Sequence, residues 1–368
     1  MRPDVFFIIN SLGGGGAERV LCNLANTFHR KSYKVAIICL NYTESAYKLE
    51  QGIPVSYLVG RRGSDHIIYR LFYAVQTYLK LVYILLRDRP KCVVSFMTTS
   101  NLWSGLACSL VKIPFIVSER TTPDHTVNQF NPLLKRITFL VYNKSKGIVI
   151  PAKGMSEGFK RSKSFNKLNN FVTIHNAINS DAFISDKPIY PNKRFILGVG
   201  RLDKTKGFDV LIDAYSTLYL PDIDLLISGE GPERQSLTKQ IENLGLSDKV
   251  KLVGFKHNIQ DYYSQAELYV LASKNEGYPN ALIEAMSVGC PCIATDCEFG
   301  PSEIIEHRVN GMLVEVDNVS ELAEAISEVL NDPDLRCKIS RNGRRIKDTN
   351  SELNISRKWE KLIFSHEF

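Results

Sequence analysis

Short apolar runs and amphipathic segments alternate along most of the 368-residue chain. Val5-Phe6-Phe7-Ile8-Ile9 is apolar without a break, as a strand buried on both faces of a parallel sheet requires. A glycine cluster and a helix predicted from Ala17 to His29 follow, then a second strand over Tyr33–Leu40, which makes a βαβ unit. Further strands are predicted at Val55–Leu58, Cys92–Phe96 and Phe115–Ser118, and Gly147–Ile150 and Val172–Asn179 close the first domain. A second series starts at Phe195–Gly200 and continues with Leu225–Ser228, Val250–Phe255 and Leu268–Ala272. Strands alternating with helices over this length predict two α/β domains of Rossmann-like type. The expected division is 1–180 for the first domain, 181–193 for a linker marked by Pro188 and Pro191, and 194–355 for the second, with a terminal helix over 356–368.

The helical segment from Ile67 to Arg89 is unusual. Ile68, Leu71, Phe72, Val75, Leu79, Val82, Tyr83 and Leu86 recur at helical spacing, and Arg70, Lys80, Arg87 and Arg89 punctuate it, with Arg61 and Arg62 just before. The segment 133–144 has a similar basic-aromatic character. A long helix with a solvated basic face explains this, and so does a surface for an anionic membrane near 61–89 and 133–144.

Three stretches carry candidate chemistry. Gly13-Gly14-Gly15-Gly16 precedes a helix and lets a ligand approach the backbone, but it is neither a G-x-G-x-x-G fingerprint nor a Walker A loop. Arg201-Leu202-Asp203-Lys204-Thr205-Lys206-Gly207 follows a strand end, and its cations suit a diphosphate, Arg as a fork and Lys as a point charge. Ser273-Lys274-Asn275-Glu276-Gly277-Tyr278-Pro279-Asn280-Ala281 turns from a strand into a helix, with Asn280 expected as its cap and Glu284 further along. A glycine turn leading into a helix N-terminus at the carboxyl end of a parallel sheet is where such folds hold phosphorylated ligands.

Composition narrows the class. Apolar content of 44% and charged content of 23% are ordinary for a globular protein. A net charge of +7 suits an anionic partner, whereas no nucleic-acid recognition module is present. No apolar run is long enough to span a bilayer, and no secretory signal is expected before the first strand. Eight scattered cysteines match no zinc pattern and are expected as reduced thiols in cytosol.

Together these motifs resemble retaining glycosyltransferases of family 4, with the GT-B fold. Glu276 and Glu284 stand as that family's E-x7-E pair, and Gly200-Arg201 with Lys206-Gly207 matches its G-R-x4-K-G motif. Gly14, Gly15 and Gly16 sit in a Gly-Gly-Ala-Glu loop like the one the family lays against donor diphosphate and acceptor. The likeness spans nearly the whole chain, densest from Phe195 to about Val316. It implies two Rossmann-like domains facing across a cleft, with the terminal helix crossing back to the first. It implies a UDP-sugar donor, metal-independent transfer without a cofactor, and retention of configuration. By resemblance, Arg201 and Lys206 neutralise the leaving diphosphate, Glu276 serves the donor sugar and Glu284 the ribose. Gly229, Gly254, Phe255, Ser273, Gly277, Tyr278, Asn280 and Ala281 complete the nucleotide site. Where many members carry a histidine beside the reacting sugar, this chain has Glu119 and Arg120 at the strand end and His125 later, so Glu119 and His125 are the catalytic candidates in the first domain. That Ser-Glu-Arg resembles the branch handling N-acetylhexosamines in O-antigen or N-glycan precursors, which implies a polyprenyl-diphosphate-linked saccharide acceptor at the inner membrane face. A transferase with a soluble acceptor, or a non-catalytic nucleotide-binding regulator, remains the alternative.

Overall fold

A computed structural model of the chain describes residues 2–60, 67–178, 185, 187–191 and 193–365, with the side chains of 67–71 excepted. Arg61, Arg62, the side chain of Arg70 and part of the expected linker lie outside the described residues. The chain divides into two compact units, Met1–Ala177 with Glu352–Phe368, and Ile178–Ser351.

The first unit runs β1 (Val5–Ile9), α1 (Gly16–Arg30), β2 (Val35–Asn41), β3 (Val55–Val59), α2 (Ile67–Asp88), β4 (Cys92–Phe96), α3 (Thr98–Val111), β5 (Phe115–Ser118), α4 (Pro132–Lys144), β6 (Ile148–Ile150), α5 (Met155–Lys160) and β7 (Phe171–Thr173). Its seven parallel strands are ordered β3-β2-β1-β4-β5-β6-β7. Val5 pairs with Val35 on one side and Cys92 on the other, so the strand order reverses between β1 and β4. β1 is apolar throughout and β4 is apolar apart from Ser95, and both are fully buried, as central parallel strands require. Asn131 caps α4 by accepting the Leu134 amide, and Pro132 fills the first helical position.

The second unit runs β8 (Arg194–Val199), α6 (Phe208–Ser216), β9 (Ile223–Ser228), α7 (Arg234–Asn243), β10 (Val250–Leu252), α8 (Ile259–Gln265), β11 (Leu268–Leu271), α9 (Asn280–Val288), β12 (Cys292–Thr295), α10 (Pro301–Ile304), β13 (Met312–Val314), α11 (Val319–Asn331), α12 (Pro333–Gly343) and α13 (Ile346–Asn350). Its six parallel strands are ordered β10-β9-β8-β11-β12-β13, so here the reversal lies between β8 and β11. Described parts of the expected linker pack on this unit: the Ser185 amide donates to Asp261, and Tyr190 and Lys193 both bond Asp224.

The last helix, α14 (Glu352–Phe364), belongs to the first unit. Ile355, Trp359 and Ile363 enter that unit's core. The Trp359 ring lies 5.8 Å from that of Phe96, and Phe364 stacks on Tyr33 at 4.9 Å. Polar ties flank this seam: Thr27 donates to Glu352 at 2.5 Å, and Lys31 pairs with Glu360 at 2.8 Å.

Candidate active site

Two loops of the second unit sit where ligands bind in sheets of this topology. The Arg201–Gly207 loop follows β8 and the Ala272–Pro279 loop follows β11, the pair of strands flanking the reversal. They are tied together. The Lys274 amide donates to Thr205 O at 2.8 Å. Lys206 Nζ meets Glu276 Oε1 at 2.5 Å, and Ser273 Oγ donates to the same oxygen at 2.7 Å. Ser273 is fully buried and Glu276 mostly so, so the carboxylate is held in one orientation by two donors. Among the described residues no partner is seen for Glu276 Oε2.

The neighbouring loops lock in turn. Gly229, at φ +150°, lies so close to the β8 loop that a Cβ there would sit 1.8 Å from Gly200 O. The Gly229 amide donates to Gly254 O at 3.0 Å, and Ser228 Oγ reaches the same carbonyl. Phe255, just beyond, is 60% exposed and edges onto His257 at 5.0 Å, which leaves a broad aromatic face available to a planar ring. On the other side the Thr295 hydroxyl donates to Ser273 O, and Gly300, at φ +93°, abuts Gly277 O and Tyr278 Cα.

Arg201 projects into solvent, 74% exposed, with its Nε on Asp203 at 2.5 Å. It stands at the same edge as the first turn of α9, whose amides and dipole favour negative charge. Two long-stemmed cations and a helix N-terminus at one sheet edge are chemistry suited to a diphosphate. The residue capping α9 is Pro279, so Asn280 is the first helical residue rather than the cap; Pro279 has the fixed φ and lacks the amide that a helix start leaves over anyway. Ala281 follows in the same first turn. Tyr278 offers only its backbone here, because its side chain is buried and accepts the Asn350 amide at 2.9 Å. Glu284 is buried one turn into α9, 8% exposed. Cys297 is buried nearby, and desolvation together with Glu276 pushes its thiol up to about 12.

In the first unit the candidates separate. The Gly13–Gly16 loop follows β1 at that sheet's reversal; Gly14 and Gly16 are exposed, and Gly15 caps α1 under the Glu18 carboxylate. Glu119 does not face a ligand. It is 1% exposed and accepts hydrogen bonds from Thr98 at 2.8 Å, Asn101 at 3.1 Å and the Tyr142 hydroxyl. Burial raises its carboxyl above the ordinary range against those bonds. The expectation of a catalytic Glu119 is therefore corrected: its partners, spread over forty-odd residues of sequence, make it a buried pillar under the start of α3. Arg120 turns instead onto the Phe96 ring at 4.8 Å, with Nη1 on Asn176 at 2.6 Å, and burial pulls it down to about 9. His125 closes a short 3-10 turn, exposed, away from this network. Sequence reading missed Met97, which links β4 to α3 at φ +73°, a costly conformation for a side chain and one that clusters at functional sites. No residue type signals it.

Two family models together cover most of the chain. One, described as glycosyl transferases group 1, matches residues 179–346, and one described as Glycosyltransferase Family 4 matches residues 14–182. An N-acetylgalactosaminyltransferase of Campylobacter jejuni, named for N-acetylgalactosamine-N,N'-diacetylbacillosaminyl-diphospho-undecaprenol, is 31% identical over 342 residues, 89% of this chain and 90% of its own. The chain belongs to the family 4 glycosyltransferases. This glycosyltransferase is also 27% identical to an uncharacterized glycosyltransferase of Haemophilus influenzae, over 99% of this chain and 100% of that one. The crystal structure of Anabaena HepE in complex with UDP and glucose superposes with a TM-score of 0.84 at 20% identity, covering 99% of this chain and 100% of that one. The shared architecture is GT-B, two parallel-sheet α/β units of seven and six strands.

Proposed function

We propose that this glycosyltransferase moves a hexose or N-acetylhexosamine from a UDP-sugar to a polyprenyl-diphosphate-linked saccharide, with retention of anomeric configuration and without a metal. The observation that carries the reading is the convergence of Arg201, Lys206, Glu276 and the α9 N-terminus on one sheet edge. The undecaprenyl-linked substrate in the name of the Campylobacter relative supports the acceptor class, and the UDP bound in the HepE structure supports the nucleotide.

In this reading the donor diphosphate takes Lys206 from Glu276 and draws Arg201 inward. The bond between the anomeric carbon and the diphosphate oxygen breaks, and the cations stabilise the charge as it grows, where catalysis gains most. The acceptor hydroxyl attacks on the same face, and its proton passes to the departing diphosphate, so UDP and glycosylated acceptor leave with atoms balanced. Glu276, fixed through Oε1, offers Oε2 to the donor sugar. Glu284 accepts from the ribose hydroxyls, and Phe255 stacks on the base. Gly14, Gly15 and Gly16 present backbone to the acceptor side.

Calorimetric titration with UDP tests the seat. The wild type binds, and the Arg201→Ala/Lys206→Ala pair loses about 100-fold in affinity, the scale of two charge-assisted contacts. Equal affinity in both proteins refutes the seat. Product anomer by NMR tests retention, and turnover in EDTA tests metal independence.

A further inference from the structure

The apolar stripe of α2 does not face the core. Thr77, Leu81 and Leu85 are the residues turned inward. Phe72, Val75, Leu79, Tyr83 and Leu86 are 49–63% exposed, at successive spacings of 3, 4, 4 and 3, so they form one continuous ridge on the opposite side. The ridge has neighbours. α2 packs on α3, where Tyr78 meets the Trp103 ring at 5.9 Å. α3 packs on α4 so closely that a Cβ on Gly105 would overlap Val141. On α3, Leu106 and Leu110 are exposed, and on α4 Leu133 and Leu140. Nine of the fourteen exposed large hydrophobic side chains among the described residues therefore stand on three adjoining helices of one unit. A patch of that kind marks an interaction site.

Charge says what covers it. Helices α2, α3 and α4 hold six Lys and Arg against one Asp, a balance of +5 in a chain whose net charge is +7. Arg87, Arg136 and Lys144 are exposed on the helices that bear the apolar residues, and the Arg87 guanidinium lies 5.9 Å from the Tyr83 ring centre. Apolar ridges fringed by cations and by a tyrosine match the boundary layer of an anionic bilayer, where side chains enter the acyl region and cations meet headgroups. No helix among the described residues is long and apolar enough to cross a membrane, so the contact is on the surface.

We infer that the outer faces of α2, α3 and α4 dock this transferase on an anionic lipid bilayer through the Phe72-Val75-Leu79-Tyr83-Leu86 ridge. The inference rests on the lipid-linked-acceptor reading for its setting and adds the surface that meets the lipid. Because these side chains are exposed, replacing them leaves the fold intact.

The test is flotation of the full chain with vesicles of equal parts phosphatidylglycerol and phosphatidylethanolamine, against phosphatidylcholine alone, at low salt. Wild type floats with the anionic vesicles, and Phe72→Ser/Leu79→Ser/Tyr83→Ser lowers its partition at least about tenfold. Lys144→Gln/Arg136→Gln weakens flotation with the anionic vesicles only. UDP release with a water-soluble short-chain acceptor is unchanged in the triple variant. Triple-variant flotation equal to wild type overturns the surface. So does a wild-type dimer that the triple variant dissolves to monomers with no vesicle binding by either, which assigns the ridge to a second copy. Wild type that uses the soluble acceptor yet never floats overturns the docking surface alone. Wild type that floats through the ridge but releases no UDP upholds the surface and refutes the substrate reading.

Discussion

Gly207→Ala separates the two loops on which the proposed chemistry depends. Gly207 holds φ +61°, and a Cβ there would lie 2.0 Å from the Ala272 carbonyl oxygen, at the root of the loop that bears Glu276. Ordinary contact begins at 3.4 Å, so the loops must part by about 1.4 Å. The left-handed backbone itself costs a non-glycine residue about 1–2 kcal/mol. For a unit of this size, that lowers Tm by about 2–8 °C. Lys206 is adjacent to the glycine, so the separation breaks its 2.5 Å contact with Glu276 and displaces the cation from the diphosphate seat. A displacement near 1 Å costs about 100-fold in rate, or about 2.7 kcal/mol of transition-state stabilisation. The assay is UDP release under kcat/KM conditions beside thermal unfolding, with Gly60→Ala as control, because a Cβ at Gly60 meets nothing within 4 Å. If Gly207→Ala keeps wild-type kcat/KM while still melting cooperatively, the juxtaposed loops are not the catalytic seat.

Three further outcomes follow from buried groups. Burial raises the Glu119 carboxyl, so its contribution to stability is largest below its ordinary value of 4.5 and declines as pH rises through the folded-state value; Glu119→Gln flattens that decline in pH-dependent urea unfolding, and an unchanged pH slope contradicts it. Only Cys337 is exposed while the other seven thiols are buried, so a thiol reagent titrates one group in the native protein and eight after denaturation; rapid native labelling of several refutes the packing. Trp359→Ala removes an α14 side chain, 1% exposed, from the first unit's core and lowers stability by about 3–5 kcal/mol, measured by denaturant melts that also report whether α14 frays first.

Much of this was legible in the sequence for identifiable reasons. Strands buried on both faces are apolar for nearly all their length, so β1, β4, β8 and β11 announce themselves. The Arg201–Gly207 and Ser273–Ala281 loops were legible because each site segment is contiguous and follows its strand directly. What links them was not. The β8–β11 adjacency is a property of strand order, and the Lys206–Glu276 contact spans 70 residues. Glu119 was misread for the same reason: a carboxylate at a strand end reads as a reactive group until Thr98, Asn101 and Tyr142 are seen around it. Periodicity located the stripe on α2 but could not give its direction, because Leu81 and Leu85 supply a second apolar face. Met97 acts through its backbone angle, which a side chain's identity does not reveal.

The most direct test of the central claim is UDP release by the purified chain across a panel of UDP-sugars, with a short polyprenyl-diphosphate saccharide and EDTA present, run beside Lys206→Ala. The account predicts turnover with one UDP-sugar, dependent on the acceptor and reduced about 100-fold or more in the variant. Turnover with GDP- or ADP-sugars instead, or equal rates in both proteins, would contradict it.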